Sequence, residues 1–280
     1  MTSDRPSATP DYVLGTGDHE LERLALQQRV WSDQTEAWID ALGVEPGATV
    51  IDAGCGPGWV TESLLERVGP TGRVIAIDES DRWCEHVRSR SEREGWSNVD
   101  VREARLEELD LGPEADAVFV RWVLSFPPDP GAILTRLTRA LRPGGRLIAI
   151  DYNHEGVSLF PPSAGFEAVI AATRSLYASA GGDAFVAGRF PALFRAAGLE
   201  LESIAPQAIA GGPGTPAFEW ADTFFTHHCH QMEERGHLSS EDKQRFLDEW
   251  GERRRDPEAI FFSPLVVAAI GALKDGETNP

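Results

Sequence analysis

The chain has 280 residues, of which 41% are hydrophobic, and 45 acidic against 26 basic residues give a formal net charge of −19. This charge disfavours nucleic acids and anionic membranes as partners, so a small molecule is expected. No apolar run reaches the ~20 residues of a membrane helix, and the first residues lack the order of a signal peptide, which predicts a cytoplasmic protein. Three cysteines without metal-like spacing predict no disulfide framework and no metal site.

The first half of the chain follows an α/β rhythm. Residues 1–45 form a tail and a helical cap, with apolar residues at helical spacing from Glu20 to Leu42. Strands and helices then alternate, which predicts a doubly wound, mostly parallel, seven-stranded Rossmann-like sheet. The predicted strands are 50–53, 73–77, 99–103, 115–122 and 146–151, and the helices are 60–68, 81–93 and 130–141.

The second half continues this rhythm and then departs from it. Helices are predicted near 166–180 and 190–197, a strand at 200–204 and a last strand at 261–273. Between these strands, residues 206–258 begin with a turn rich in glycine and proline and continue with two helical stretches. We interpret 46–280 as one domain in which 206–258 is an α-helical lid insertion before the last strand.

The most informative feature is a glycine turn, Gly54, Gly56 and Gly58, between the first predicted strand and its helix. Glycine at alternate positions lets a ligand approach the backbone, and the helix N-terminus directs free N–H groups toward it. A dinucleotide fingerprint requires glycine where Trp59 stands, and a phosphate loop requires a lysine that is missing. An NAD-dependent oxidoreductase is therefore a disfavoured alternative.

The segment Val50–Gly58 resembles the first motif of class I S-adenosylmethionine-dependent methyltransferases. Asp78, at the end of the second strand, and the turn Leu141–Leu147 before the fifth strand resemble further markers of this family. The cap pattern of Tyr12, Glu20, Arg23 and either Gln27 or Gln28 is similar to that of bacterial small-molecule methyltransferases, although it also fits the surface of an amphipathic helix. The resemblance implies S-adenosylmethionine as cofactor and S-adenosylhomocysteine as product.

The resemblance also implies a set of cofactor contacts. Asp78 would bind the ribose hydroxyls, Arg121 the carboxylate, and Asp52 either the cofactor or backbone N–H groups of its own turn. The family often has Gly-Asp where this chain has Ala104-Arg105, so adenine recognition would depend on backbone groups, stacking under the guanidinium, or Glu107. The predicted cofactor-binding residues are Arg23, Gln28, Asp52, Gly54, Gly56, Gly58, Asp78, Glu79, Arg105, Leu106 and Arg121.

The expected reaction is methyl transfer to an oxygen, carbon or nitrogen of a small organic acceptor, with a quinone-like or natural-product-like ring as the first hypothesis. Candidate bases are His154 and Asp151 at the end of the fifth strand. Only His227 and His230 of the His-rich cluster share a helix face, which argues against a metal site. Predicted substrate contacts are Tyr12, Tyr152, Trp220, Phe224 and His228.

A second alternative, besides the disfavoured NAD-dependent oxidoreductase, is a regulatory protein that binds S-adenosylmethionine without turnover. The departure at Ala104-Arg105 is compatible with it. The chain is expected to be a monomer or a homodimer.

Overall fold

The computed structural model describes residues 18–274, and the predicted substrate residue Tyr12 lies outside them. The cap consists of α1 (Asp18–Val30) and α2 (Ser32–Leu42). The predicted helical run is therefore divided at Trp31, which is fully buried and packs against the rings of Trp38, Trp122 and Trp220. The break between α1 and α2 was not predicted, because it depends on this tertiary packing and not on a local signal such as glycine or proline.

Residues 49–153 form the predicted alternation of strands and helices. The elements are β1 (Thr49–Ala53), α3 (Trp59–Val68), β2 (Arg73–Asp78), α4 (Asp81–Glu94), β3 (Val99–Glu103), β4 (Ala115–Arg121), α5 (Pro130–Arg139) and β5 (Leu141–Asn153). The main difference is that β5 begins at Leu141, where a helix end was predicted, because Leu141 already pairs with Ala115 of β4. Gly144, with φ +76°, lies inside this irregular first part of the strand.

Residues 158–273 contain the remaining elements. They are β6 (Ser158–Phe160), α6 (Ala164–Ser179), α7 (Phe190–Ala196), β7 (Leu199–Gln207), β8 (Ala210–Gly211), α8 (Pro216–Glu234), α9 (Ser240–Arg253), β9 (Ile260–Phe262) and β10 (Leu265–Leu273). The main sheet has seven strands in the order β3-β2-β1-β4-β5-β10-β7, and only β10 runs antiparallel to its neighbours. The predicted fold class, with helices inserted before the last strand, is confirmed.

A second, three-stranded sheet of order β6-β9-β8 was not predicted. It arises because the predicted last strand is interrupted at Ser263-Pro264. Proline has no N–H for the sheet ladder, and Ser263 exchanges hydrogen bonds with Ile209 through its backbone N–H and its hydroxyl. Pro264 was the sequence signal for this break.

The core that supports the site has aromatic character. Helix α1 packs against α8, and α8 and α9 pack against α6. Buried rings fill the space between these helices and the sheet: Phe166, Phe218, Phe225, Phe246, Trp250 and Phe261. No helix within residues 18–274 has both the length and the apolar character needed to span a membrane.

Candidate active site

A cavity of about 290 Å³ opens at the carboxyl ends of β1, β2 and β4. Strand order reverses between β1 and β4, and ligands of open α/β sheets bind at such a switch point. One half of the cavity is formed by the ends of β1, β2 and β3, and we call it the cofactor half. The other half, the acceptor half, is formed by α1, α6, α8 and the segments that follow β4 and end β5.

The three glycines of the turn have left-handed backbone angles but different surroundings. A Cβ atom at Gly54 would lie 2.3 Å from Cγ2 of Val123, and one at Gly58 would lie 2.8 Å from Cγ2 of Val87. A Cβ atom at Gly56 would meet nothing within 4 Å, and Gly56 lines the cavity. Of the three glycines, Gly56 is thus the one with open space beside its Cα atom. Gly58 instead allows close packing against Val87 and does not line the cavity.

Asp78 stands opposite this turn. Its Oδ2 accepts the N–H of Gly56 at 2.8 Å, and its Oδ1 accepts the N–H of Ser80 at 2.9 Å. Burial raises the pKa of Asp78 to about 6, although the two backbone N–H groups oppose this shift. Each carboxylate oxygen retains a second lone pair for a ligand hydroxyl, as expected for a residue that binds a ribose.

Asp52 and Arg121 lie side by side at the switch point. Asp52 accepts the Thr61 hydroxyl at 2.6 Å, and burial raises its pKa to about 6. Arg121 donates to Thr35 Oγ1 at 2.5 Å and to Gln28 Oε1 at 2.8 Å. Burial lowers the pKa of Arg121 to about 10, so the guanidinium remains charged at neutral pH. Gln28, which was predicted to bind the cofactor, does not line the cavity. It instead holds Arg121, which does.

Trp122 is a residue of the cavity wall with a strained backbone. It is the one non-glycine residue among residues 18–274 with positive φ, at 56°. Its ring lies under the guanidinium of Arg121 at 4.4 Å and stacks on Tyr152 with centroids 5.9 Å apart. Its place in the cavity wall is consistent with the tendency of strained residues to lie at ligand sites.

The far end of the cofactor half is lined by Glu79, Ala104, Arg105, Leu106 and Glu107. Arg105 lies between two carboxylates, with 3.9 Å from Nε to Glu79 Oε2 and 3.9 Å from Nη2 to Glu107 Oε1. The residues predicted near an adenine therefore lie together. The cavity leaves all three predicted modes of adenine recognition available.

The acceptor half contains predicted and unpredicted residues. Tyr152 and Phe224 line it, as predicted for substrate contacts. Arg23, which was predicted to bind the cofactor, also lines this half, and Phe126 and Tyr177 were missed. Phe126 and Tyr177 stack with centroids 5.2 Å apart, and burial raises the pKa of the Tyr177 hydroxyl. No sequence spacing indicated them, because Tyr177 reaches the cavity only through the packing of α6.

Trp220 and His228 lie behind the cavity wall. Trp220 donates its indole N–H to Gln27 Oε1 at 3.2 Å, and Gln27 lines the cavity. His228 donates Nδ1–H to the Phe224 carbonyl at 2.9 Å and stacks on the Phe224 ring at 4.5 Å. Burial lowers the pKa of His228 to about 3, so its ring is neutral. Both side chains support residues that line the acceptor half.

The two predicted proton acceptors also lie outside the cavity. Asp151 accepts the backbone N–H groups of Ser125 at 3.0 Å and Tyr152 at 2.8 Å, and burial raises its pKa to about 6. The His154 ring lies near Tyr152 and Tyr177, and burial lowers its pKa to about 4. Within residues 18–274, no group of three His, Cys, Asp or Glu side chains is arranged to hold a metal ion.

Comparison with known proteins identifies the segment that carries the glycine turn. A family model described as a methyltransferase domain matches residues 50–145, which include Gly56, Asp78 and Arg121. The predicted resemblance to class I S-adenosylmethionine-dependent methyltransferases is therefore confirmed for residues 50–145.

The chain is similar to curated methyltransferases over part of their length. It is 36% identical over 118 residues to trans-aconitate 2-methyltransferase of Azoarcus sp., covering 41% of this chain and 44% of that protein. It is 28% identical over 135 residues to demethylmenaquinone methyltransferase of Lactococcus lactis, covering 48% and 52%. The chain thus spans about half the length of these relatives.

The methyltransferase fold also has a solved counterpart over nearly the whole chain. Geranyl diphosphate C-methyltransferase from Streptomyces coelicolor superposes with a TM-score of 0.57 at 17% identity. The superposition covers 96% of this chain and 89% of the other. At this identity the likeness supports the fold alone.

Proposed function

We propose that this methyltransferase moves a methyl group from S-adenosylmethionine to an oxygen, carbon or nitrogen atom of a small organic acceptor, leaving S-adenosylhomocysteine. The observation that carries the proposal is the pairing of Gly56 with Asp78 at the switch point. There, a turn with open space beside its backbone faces a carboxylate with free lone pairs. Both residues lie in the segment that matches the family model.

The cofactor half offers complementary groups for each part of S-adenosylmethionine. Asp78 would accept the ribose hydroxyls, and Arg105 and Leu106 would flank the adenine, with Glu79 at its edge. The methionine part would lie against Gly54 and Gly56. Its carboxylate would pair with Arg121 and its ammonium with Asp52, since both charged side chains line the cavity at the ends of the neighbouring strands β1 and β4.

The sulfonium cofactor supplies an already activated methyl group, so the work of the chain is alignment and exclusion of water. When bound, the cofactor would supply this methyl group to the acceptor atom, with the electron pair of the carbon–sulfur bond staying on sulfur and the proton of the acceptor passing to solvent. Tyr152, Tyr177 and Phe224 would hold the acceptor, with Gln27 as a polar contact. The proposal gives Asp151 and His154 no proton-transfer role, because neither lines the cavity.

The names of similar proteins support a small-molecule acceptor. Two of them are named for trans-aconitate and demethylmenaquinone, and the structural counterpart for geranyl diphosphate. None of these names transfers a particular acceptor to this chain, whose acceptor half is formed mainly by residues outside 50–145.

The decisive experiment is calorimetric titration of the protein with S-adenosylmethionine, S-adenosylhomocysteine and NADH. We expect saturable binding of the first two and none of NADH; binding of NADH alone would reject the proposal. A panel of metabolites with a radiolabelled methyl donor then separates an enzyme from a regulatory protein, since binding without transfer to any acceptor favours the regulatory protein.

Asp78→Asn tests the ribose assignment. Loss of charged hydrogen bonds should weaken S-adenosylhomocysteine binding by about 1–3 kcal/mol. Glu85→Gln is the matched control, because Glu85 lies exposed on α4 and pairs only with Arg88 among the described contacts. An unchanged affinity in Asp78→Asn would refute the assignment.

A further inference from the structure

The arginines that line the cavity within residues 18–274, Arg23, Arg105 and Arg121, differ in what surrounds them. Arg105 lies between Glu79 and Glu107. Arg121 donates to the uncharged side chains of Gln28 and Thr35, and the proposed function uses its charge for the cofactor carboxylate. Arg23 is therefore the arginine whose charge, and whether it is neutralised, matters for a ligand in the acceptor half.

Arg23 is held by Glu20 in a bidentate ion pair. Nε of Arg23 lies 2.8 Å from Glu20 Oε2, and Nη2 lies 2.7 Å from Oε1. Nη1 donates to Gln27 Oε1 at 3.0 Å. Both side chains are about 95% buried, with exposed fractions of 5% and 4%, so solvent does not screen this pair. The negative charge of Glu20 thereby neutralises the positive charge of Arg23 in the cavity wall.

The rest of the acceptor half is aromatic. Trp122 stacks on Tyr152, Phe126 stacks on Tyr177, and the Phe224 ring lies 5.8 Å from the Arg23 guanidinium. These planar rings favour a planar ligand, and the two tyrosine hydroxyls add polar contacts without charge. An anionic acceptor would lose its hydration here without gaining a free cation.

We propose that Glu20 is a specificity-determining residue: by neutralising Arg23 it makes the acceptor half select an uncharged aromatic acceptor, such as a phenol or hydroquinone, and reject carboxylates and phosphates. The inference rests on the proposed function and deepens it. It sets this chain apart from the two similar proteins named for trans-aconitate and geranyl diphosphate, whose named compounds are anions.

The first test uses the wild-type protein saturated with S-adenosylhomocysteine. Naphthol and naphthoate, substituted at the same ring position, are titrated at neutral pH and followed by calorimetry. We expect naphthol to bind at least about tenfold more tightly than naphthoate, because only the latter must bury a charge. Equal or tighter binding of naphthoate overturns the proposal, as does failure of both probes to bind.

The second test frees the arginine. Glu20→Gln keeps an oxygen that accepts from Arg23 but removes the negative charge, so naphthoate affinity should rise by about tenfold or more while naphthol affinity stays within about twofold. Glu22→Gln is the control, since Glu22 lies on the same helix with its side chain 82% exposed. Unchanged naphthoate affinity in folded Glu20→Gln overturns the proposal.

Failure of the proposed function and failure of the role of Glu20 give different results in these tests. Absence of S-adenosylhomocysteine binding by the wild-type protein rejects the proposed function itself. Normal S-adenosylhomocysteine binding together with a preference for naphthoate rejects the role of Glu20 alone. If Glu20→Gln does not give a native near-ultraviolet circular dichroism spectrum, the wild-type comparison of naphthol with naphthoate decides.

Discussion

Gly54 and Gly56 show how one residue type meets two different needs in the same turn. Both have positive φ, at 72° and 51°, which costs a residue with a Cβ roughly 1–2 kcal/mol. At Gly54 a methyl group would also collide with Val123, whereas at Gly56 it would enter the cavity. The first glycine therefore serves folding and the second serves ligand access.

Alanine substitutions separate these roles. Gly56→Ala should remain folded, with its unfolding free energy lowered by roughly 1–2 kcal/mol. Its affinity for S-adenosylhomocysteine should fall by about tenfold or more, because the new methyl group occupies ligand space. Gly54→Ala should lose more stability than Gly56→Ala in chemical denaturation. Wild-type affinity in Gly56→Ala would contradict the assignment of the open space.

His154 predicts a pH dependence of stability. Its pKa is lowered from 6.5 to about 4 by burial, so between these values the unfolded chain binds a proton that the folded chain does not. Above pH 6.5 the titration of His154 therefore does not change the unfolding free energy. As the pH falls from 6.5 to about 4, it lowers the unfolding free energy increasingly.

The variant His154→Phe tests this linkage. As the pH falls from 6.5 to about 4, the variant should gain stability relative to wild type by up to ~1.4 kcal/mol per pH unit. Urea denaturation at several pH values measures the difference. A difference that does not change with pH would contradict a neutral buried ring. S-adenosylhomocysteine affinity at neutral pH should not change, since His154 does not line the cavity.

At the scale of elements, Arg121 ties the cap to the sheet. It ends β4, and its two hydrogen bonds reach Gln28 on α1 and Thr35 on α2. Thr35 in turn donates its hydroxyl to the Trp31 carbonyl between these helices at 2.7 Å. The cap is therefore positioned by the same side chain that we assign to the cofactor carboxylate.

Gln28→Leu should loosen this connection. A buried N–H of Arg121 would lose its partner, which costs about 1–3 kcal/mol of unfolding free energy. Hydrogen exchange should show faster exchange of α1 amides than in wild type. Arg29→Gln, an exposed change at the next position of the helix, is the control and should leave both quantities unchanged. Equal protection of α1 in both variants would contradict the role of Arg121.

At the scale of the whole molecule, one aromatic cluster joins the insertion helices to the sheet. Trp250 of α9 is almost fully buried and stacks on Phe166 and Phe218 at 5.6 and 4.9 Å. Its indole N–H donates to Asp222 at 2.7 Å. The same cluster includes Val50 of β1, so the insertion and the sheet share a core.

Trp250→Ala should lower the unfolding free energy by about 3–5 kcal/mol, through lost burial and an incompletely filled cavity. Because the core is shared, far- and near-ultraviolet circular dichroism should follow one coincident thermal transition. Phe262→Ala is the control, since this ring is 38% exposed. Two separate transitions in the wild type would contradict a shared core.

Much of the fold was predictable because its signals are local. The alternation of strands and helices, the glycine turn and Asp78 depend on periodicity and on residue types a few positions apart. These features lie in residues 50–145, and the family resemblance rests on them. For the same reason Gly56 and Asp78, which were predicted to bind the cofactor, were found to line the cavity.

Only the tertiary structure decided the acceptor half. A hydrogen bond joins Gln27 to Trp220, which are 193 positions apart in the sequence. Another joins Gln28 to Arg121, which are 93 positions apart. Tyr177 and Phe126 enter the cavity through helix packing, whereas Asp151 and His154, at the end of the expected strand, turn away from it. Such outcomes depend on side-chain direction and on contacts between distant segments, and a one-dimensional pattern does not contain either.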